Sequence, residues 1–225
     1  MRVLTWNLFH GRSKPGSGRG LLNEFAARID GWAWDVALLQ EVPPWWPPLL
    51  ARACGADQRM VLTSRYWLLP IRKAISVRNP DVLKANGGGC DAILVRGAAI
   101  LDHRSERLAL RPERRMMHGV RLESVVWVVN LHATTRKGSK EAPQTRAELR
   151  FAAGTGLAWA GGAPLVLGGD LNLPDPGEQT GLRHVAGHWV DHVYVSGFEP
   201  VGKAEVLERG TLSDHKPVAV DLGVA

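Results

Sequence analysis

The stretch VLGGDLNLPD, residues 166–175, places polar side chains where a covered strand should stay apolar. Residues two apart in an extended chain share a face, so Asp170 and Asn172 are expected side by side at a strand end. A carboxylate and a carboxamide so placed can orient a water or hold a cation. The theme recurs along the chain. VLTWN ends in Asn7, VALLQE in Glu41, and VVWVVNLH in Asn130 and His132, while SDHKPVAV sets Asp214 and His215 before a last apolar run. Functional groups gather at strand ends because the backbone there is rigidly placed. Each residue also has a plain structural reading: a turn cap for Asn7 and Asp214, Asx-turns for Asp170 and Asn172, a solvated loop for Glu41 before Pro43 and Pro44, a packed histidine for His132. Their joint occurrence, always after or before an apolar run, favours a site.

The elements that must position these groups follow from periodicity. RVLTW (2–6) reads as a first strand, and GLLNEFAARID (20–30) has helical spacing at 21, 22, 25, 26 and 29. DVALLQE (35–41) is a short strand, and WWPPLLARAC a Pro-led short helix. From 59 to 131 the pattern predicts mostly strands: RMVL, KAISV, DAILV, RMMHGVRLE and SVVWVVNLH. A helix is predicted over 139–160, its centre weakened by glycines, with strands at 164–168, 190–195 and 216–222. This order does not fit a purely doubly wound sheet, whereas two sheets packed face to face with helices outside accommodate it.

At 225 residues and 45% hydrophobic, the chain suits one α/β domain over 1–225. No run approaches the length of a membrane span, and no charged n-region precedes an apolar segment. Two cysteines, Cys54 and Cys90, are too few for a disulfide framework and match no zinc spacing, so both read as reduced thiols in a cytoplasmic protein. The net charge of +6 and pI near 9.7 favour a phosphate-bearing partner, weakly. Two basic, Gly/Ser-rich loops, GRSKPGSGRG (11–20) and TTRKGSK (134–140), follow motif-bearing strands and read as phosphate-facing rims.

The blocks TWN (5–7), LQE (39–41), VNLH (129–132), GDLN (169–172), VDHV (190–193) and SDHKPV (213–218), in this order, resemble the endonuclease/exonuclease/phosphatase superfamily. The resemblance spans nearly the whole chain and implies a four-layer α/β/β/α sandwich of the deoxyribonuclease I type. It implies that Asp170 and Asn172 face a scissile phosphate and its attacking water, with Asp170 orienting or deprotonating that water. Glu41, with Asn7 and Asp214, would hold Mg²⁺ or Mn²⁺, which hard oxygen ligands suit. His215 would contact the phosphate or nucleophile, held in one tautomer by Asp191, and His132 would bind a non-bridging oxygen. The arginine that members carry before VNLH aligns with Arg115, beside Arg114. Members also carry Tyr and Glu before the strand matching DAILVR. This chain has NGGGCD there, so a carboxylate partner for His132 is not evident, Asn86 being the weak substitute.

The resemblance implies a metal-dependent phosphoesterase, read as a nuclease of low sequence specificity acting on nucleic acid or another phosphodiester, with a monomer favoured. A lipid or inositol phosphate phosphatase, and an inert binding module of the same fold, are the alternatives. His10 could equally be a rim residue. His188 and His192 have i,i+4 spacing, but HWVDHVYV reads as strand, so they are not expected to meet. Trp45 and Trp46, among nine tryptophans, are the candidates for substrate contact.

Overall fold

Near-continuous apolar runs such as VALLQEV and WVVNLH are what strands covered on both faces require, and they form the centres of two sheets. The structure, a computed structural model, describes residues 1–63, 68–87 (86–87 by backbone alone), 89–111, 113–135 and 143–225. The order is β1 (Arg2–Asn7), α1 (Leu22–Asp30), β2 (Val36–Val42), α2 (Pro47–Ala53), β3 (Asp57–Leu62), α3 (Leu69–Arg78), α4 (Pro80–Leu83), β4 (Cys90–Val95), β5 (Ile100–Ala109), β6 (Arg115–Leu122) and β7 (Trp127–His132). It continues with α5 (Pro143–Ala160), β8 (Leu165–Asp170), β9 (Arg183–His188), β10 (Asp191–Ser196), β11 (Phe198–Pro200), β12 (Glu205–Val206) and β13 (Val218–Val224).

One sheet runs β11-β13-β1-β2-β4-β3, with β12 also on β13, and the other β5-β6-β7-β8-β10-β9. Val3, Leu38 and Ile93 of the first sheet pack against Val128, Val166 and Val193 of the second. The outer face of the first sheet, with Leu4, Trp6 and Leu39, is covered by Phe25 and Ile29 of α1 and Leu50 of α2. Leu131, Leu165 and Leu167 are covered by Leu149 and Ala152 of α5. The layers are therefore α/β/β/α, as the resemblance implies. Both cysteines are buried and unpaired, and no helix of the described residues is long and apolar enough to cross a membrane.

The topology decides where chemistry can sit. β1 and β2 are parallel, as are β7 and β8, while β13, β4, β6 and β10 run antiparallel to them. The C-terminal ends of the first four strands and the N-terminal ends of the other four thus share one end of the sandwich. Buried amides tie the sheets together just beneath it. Asn130 donates to the backbone of Leu39 (3.0 Å) and Ala92 (2.9 Å) in the opposite sheet, and its Oδ1 accepts from Gln40 at 2.8 Å. Asn130 is therefore a clamp between layers. A side chain at Gly169 would stand 2.0 Å from the Leu131 carbonyl, at φ +140°, so only glycine fits where β8 passes β7.

Several sequence expectations need correction. KAISV is not a strand but half of α3, which carries Pro70 in its first turn and spaces Ile71, Ala74 and Ile75 as a helix does rather than alternating. HWVDHVYV is broken by a turn at Trp189–Val190, so His188 faces Asp191 across a hairpin, while His192 meets His184 (Nδ1 to Nε2, 3.0 Å). The strands β5, β9, β11 and β12 were not anticipated; as edge strands they carry charged, half-exposed residues with little apolar alternation. The long helix begins at Pro143, and residues 139–142 lie outside the described residues.

One buried group has a consequence for stability. His118 on β6 is inaccessible, with Nδ1 3.2 Å from His103 Nε2 and its own Nε2 without a partner among the described residues. Burial, aided by His103, pushes its pKa from 6.5 to about 3. The unfolded chain then takes up a proton as pH falls below 6.5 that the folded chain refuses until about 3, so stability drops through that window. The urea midpoint is expected to fall between pH 7 and pH 5, and His118→Gln to flatten that fall. An equal slope in the variant would remove His118 as its cause.

Candidate active site

Asp170, at the end of β8, is the centre of the cluster. Its Oδ2 accepts from Asn7 Nδ2 at 2.9 Å, across the two sheets, and its Oδ1 accepts from the Asn172 backbone N–H at 3.0 Å. The second bond is an Asx-turn, and it corrects the expectation of simple strand alternation. β8 has ended, Asn172 sits at φ +51°, and its Nδ2 donates to the Ala133 carbonyl at 2.8 Å. The turn brings the Asn172 backbone, not its side chain, onto Asp170. Burial raises the Asp170 pKa, against the opposing charge of His215 and the Asn7 hydrogen bond.

Two histidines flank Asp170 in opposite protonation states. Burial, then the charges of Arg115 and His215, hold His132 well below its ordinary range, so it is neutral. Arg115 lies 2.9 Å from His132 Nδ1, and a guanidinium can only donate. Nδ1 is therefore the acceptor, and Nε2 carries the proton, 3.4 Å from Asp170 Oδ2. His215 Nδ1 stands 2.7 Å from Asp191 Oδ2. Burial opposes charge on His215, but the Asp191 hydrogen bond and the negative charges of Asp170, Asp191 and Asp214 prevail and push it up to about 9. The proton of the pair stays on the imidazole, with Nε2 3.9 Å from Asp170 Oδ2. The loop carrying His215 is fixed by Ser213, whose Oγ donates to the Asn7 carbonyl (2.6 Å) and accepts the His215 backbone N–H (3.1 Å).

Glu41 reaches the same end through a β-bulge. Leu39 pairs with Ala92 but Val42 with Cys90, so β2 has one extra residue, and Glu41 takes φ +50°. Gln40 stays buried and Glu41 turns outward to the cluster, where Oε2 meets His10 Nε2 at 3.1 Å and Oε1 lies 3.9 Å from His132 Nε2. His10, left open by sequence, is thus a partner of Glu41. Asp214 Oδ1 is buried without a hydrogen-bond partner among the described residues, 4.0 Å from His215 Nε2. Asn7 Oδ1 accepts one bond, from the Phe9 N–H at 2.9 Å.

Atoms of Asp170, Asp191 and His215 also converge within 4.8 Å. The Asp191–His215 bond already occupies that group, whereas the carboxylates of Glu41 and Asp214 are only partly buried. The oxygen-only donor set of Glu41, Asp214 and Asn7 fits a hard divalent cation.

Arg115, not Arg114, is the arginine that reaches His132. It is buried, and its second guanidinium nitrogen donates to Glu113 at 2.6 Å. This answers the missing carboxylate: an arginine fixes the His132 tautomer instead, and the side chain of Asn86 lies outside the described residues. Sequence reasoning missed Asp91, the first charged residue of β4, which is fully buried with both carboxylate oxygens lacking a partner among the described residues. Burial pushes its pKa well above the carboxylate range, opposed by Arg115 and reinforced by Glu41 and Asp170. An acidic residue opening an otherwise apolar run was the available signal. Trp189 was also missed; it is exposed at the β9–β10 turn with its ring 5.1 Å from that of His215. Trp46 instead packs in the core against Phe25, and Trp45 packs beside it. The His184–His192 pair lies beside Tyr194, on the face of the second sheet turned away from Asp191.

The model of the Endonuclease/Exonuclease/phosphatase family matches residues 4–215. No curated protein matches the sequence significantly. Among solved structures, an endonuclease/exonuclease/phosphatase from Beutenbergia cavernae superposes with a TM-score of 0.76 at 20% identity, covering 100% of this chain and 71% of that one. A mannosyl-6-phosphatase from Bacteroides thetaiotaomicron gives 0.72 at 16% identity, with 99% of both chains covered. TDP2 from Caenorhabditis elegans gives 0.69 at 18%, covering 100% of this chain and 74% of that one. At these identities the likeness is one of fold.

Proposed function

The chain belongs to the endonuclease/exonuclease/phosphatase family, and on that premise we propose that it is a divalent-metal-dependent phosphoesterase cleaving phosphodiesters, a nuclease of low sequence specificity. One observation carries the reading: Asp170 lies between a neutral histidine and a charged one, beside oxygen-only donors. Phosphoryl transfer is mainly a matter of positioning and charge stabilisation. In this reading Asp170, with Asn172, orients the attacking water and takes its proton. His132 and His215 donate from Nε2 to phosphate oxygens. Arg115 and Asp191 hold those rings in the tautomers that make donation possible. Glu41 and Asp214, with Asn7, would hold Mg²⁺ or Mn²⁺, which when bound would supply charge neutralisation.

A diester is favoured by the loop 11–20. Ser213 N–H donates to the Arg12 carbonyl at 2.9 Å and Lys14 N–H to the Thr211 carbonyl at 2.8 Å, which fastens this basic loop to the segment bearing Asp214 and His215. Arg12 and Lys14 there would neutralise backbone phosphates without reading bases. Arg136, Lys137 and Lys140 of the second rim lie outside the described residues. Two buried, unpaired thiols fit a reducing compartment, so the proposal places the enzyme in the cytoplasm. The likeness to a mannosyl-6-phosphatase supports a second reading, hydrolysis of a sugar phosphate monoester.

A substrate panel under Mg²⁺ and Mn²⁺ separates the two. Plasmid, oligonucleotides and bis-p-nitrophenyl phosphate are expected to be cleaved well, and p-nitrophenyl phosphate and mannose 6-phosphate poorly. Arg12→Ala/Lys14→Ala is expected to raise the KM for DNA and reduce the salt slope by about 1 to 2, with the small diester little affected. Resistance of every nucleic acid with turnover of a monoester would overturn the nuclease reading.

A further inference from the structure

α3 and α4 are helices with almost no core. Among their residues only Ser76 on α3 and Pro80 on α4 are buried. Helices of ten and four residues are too short to persist on propensity alone. Their visible anchors are polar and backbone contacts to loop 11–20: Asp81 accepts from the Gly18 N–H at 2.8 Å, and Gly20 packs on the Val77 carbonyl. The aliphatic side chains are largely open to solvent. Ile71 is 57% exposed, Val77 54% and Val82 64%, with Ile75 at 36%. Single exposed aliphatics are ordinary, but a contiguous set on one small element is not.

The same surface is cationic. Residues 69–87 contain Arg72, Lys73, Arg78 and Lys84, and the acidic Asp81 is engaged with Gly18. The cations interleave with the aliphatics: Arg78 shares a groove with Ile75 and Val82, and Lys73 another with Val77 and Leu49. We propose that the exposed face of α3 and α4 docks on an anionic phospholipid surface, its aliphatics entering the acyl boundary while Lys73 and Arg78 meet the headgroups. Aliphatic side chains entering the acyl boundary and cations meeting anionic headgroups are the two contributions that hold a surface element at a membrane interface.

Charge decides among the possible occupants. A second copy of the chain would bring Lys73 and Arg78 against themselves across a twofold axis, where like charges repel. A nucleic acid would satisfy the cations but leave Ile71, Ile75 and Val82 in water, since aliphatic side chains do not stack on bases as aromatic ones do. An anionic bilayer satisfies both. Loop 11–20, on which the helices rest, is hydrogen-bonded to the segment bearing Asp214 and His215, so docking would hold the site near the lipid surface. The inference does not depend on which phosphoester is cleaved.

The test is co-sedimentation of the full chain with phosphatidylcholine vesicles, with and without phosphatidylglycerol. Binding is expected only with phosphatidylglycerol. Lys73→Glu/Arg78→Glu is expected to weaken partitioning by at least about tenfold. Ile71→Ser/Ile75→Ser is expected to abolish the fraction that survives high salt. Turnover of bis-p-nitrophenyl phosphate and the thermal midpoint should stay as in the wild type, which shows that both variants fold. Absence of binding by the wild type overturns the proposal. So does binding that is equal in the serine variant, which would be charge alone. A dimer lost in the serine variant without vesicle binding would assign the face to a second copy. Weaker DNA binding in both variants, again without vesicle binding, would assign it to nucleic acid.

Discussion

Asp191→Asn/His215→Ala is expected to lose scarcely more activity than His215→Ala alone, each single change lowering kcat by roughly three orders of magnitude. The reason is geometric. Asp191 is buried and touches the reaction only through its 2.7 Å bond to His215 Nδ1. Without the carboxylate the imidazole loses both its orientation and the charge that keeps it protonated; without the imidazole the carboxylate has nothing to hold. Burial, reinforced by the charges of Asp170 and Asp214, raises Asp191 to about 7 even with His215 present. The pair is therefore one unit carrying one proton, and its members cannot act additively. A cycle of the four proteins on a small diester measures this directly. Losses that multiply would show independent roles and dissolve the pairing.

The second large effect is expected at Glu41. Glu41→Ala and Glu41→Gln should each lower kcat/KM by about a thousandfold or more, the loss of several kcal/mol of cation-borne charge stabilisation. Calorimetric Mn²⁺ binding should weaken in parallel, and excess EDTA should abolish wild-type turnover. The fold should survive, because the side chain is at the open end of the bulge and its contacts are with His10 and His132 rather than with the core. The glutamine variant keeps the shape and hydrogen-bonding length while removing the charge. Wild-type turnover in EDTA, or Mn²⁺ affinity unchanged in both variants, would dismiss the cation from the Glu41 side.

The sequence by itself determined most of the central strands and the roster of groups at strand ends, while the four-layer arrangement came from the family resemblance. Short apolar runs such as VLTW, VALL and VVWVV read as buried strands, and a polar residue ending each one is visible without coordinates. The helices α1, α2 and α5 were legible because their apolar residues recur at helical spacing against a sheet. α3 was not, since its aliphatics face solvent and KAISV, taken as a short run, reads as a strand. The edge strands escaped because they show little apolar alternation.

Tertiary structure alone decided which atoms meet. Asn130 looked like a site residue and proved to be a clamp, because its carboxamide faces the opposite sheet, one layer below the open end. Arg115 could not be known as the partner of His132 until β6 and β7 were paired antiparallel, bringing a strand start beside a strand end. Asp91 escaped because only the paired sheet buries it within the fields of Arg115, Glu41 and Asp170. The bulge that turns Glu41 outward is one unpaired residue in β2, and a strand shows such a residue only against its neighbour. Periodicity is a property of one segment and survives in the sequence. Register, bulges and protonation states belong to pairs of segments, and burial against a distant strand fixes them.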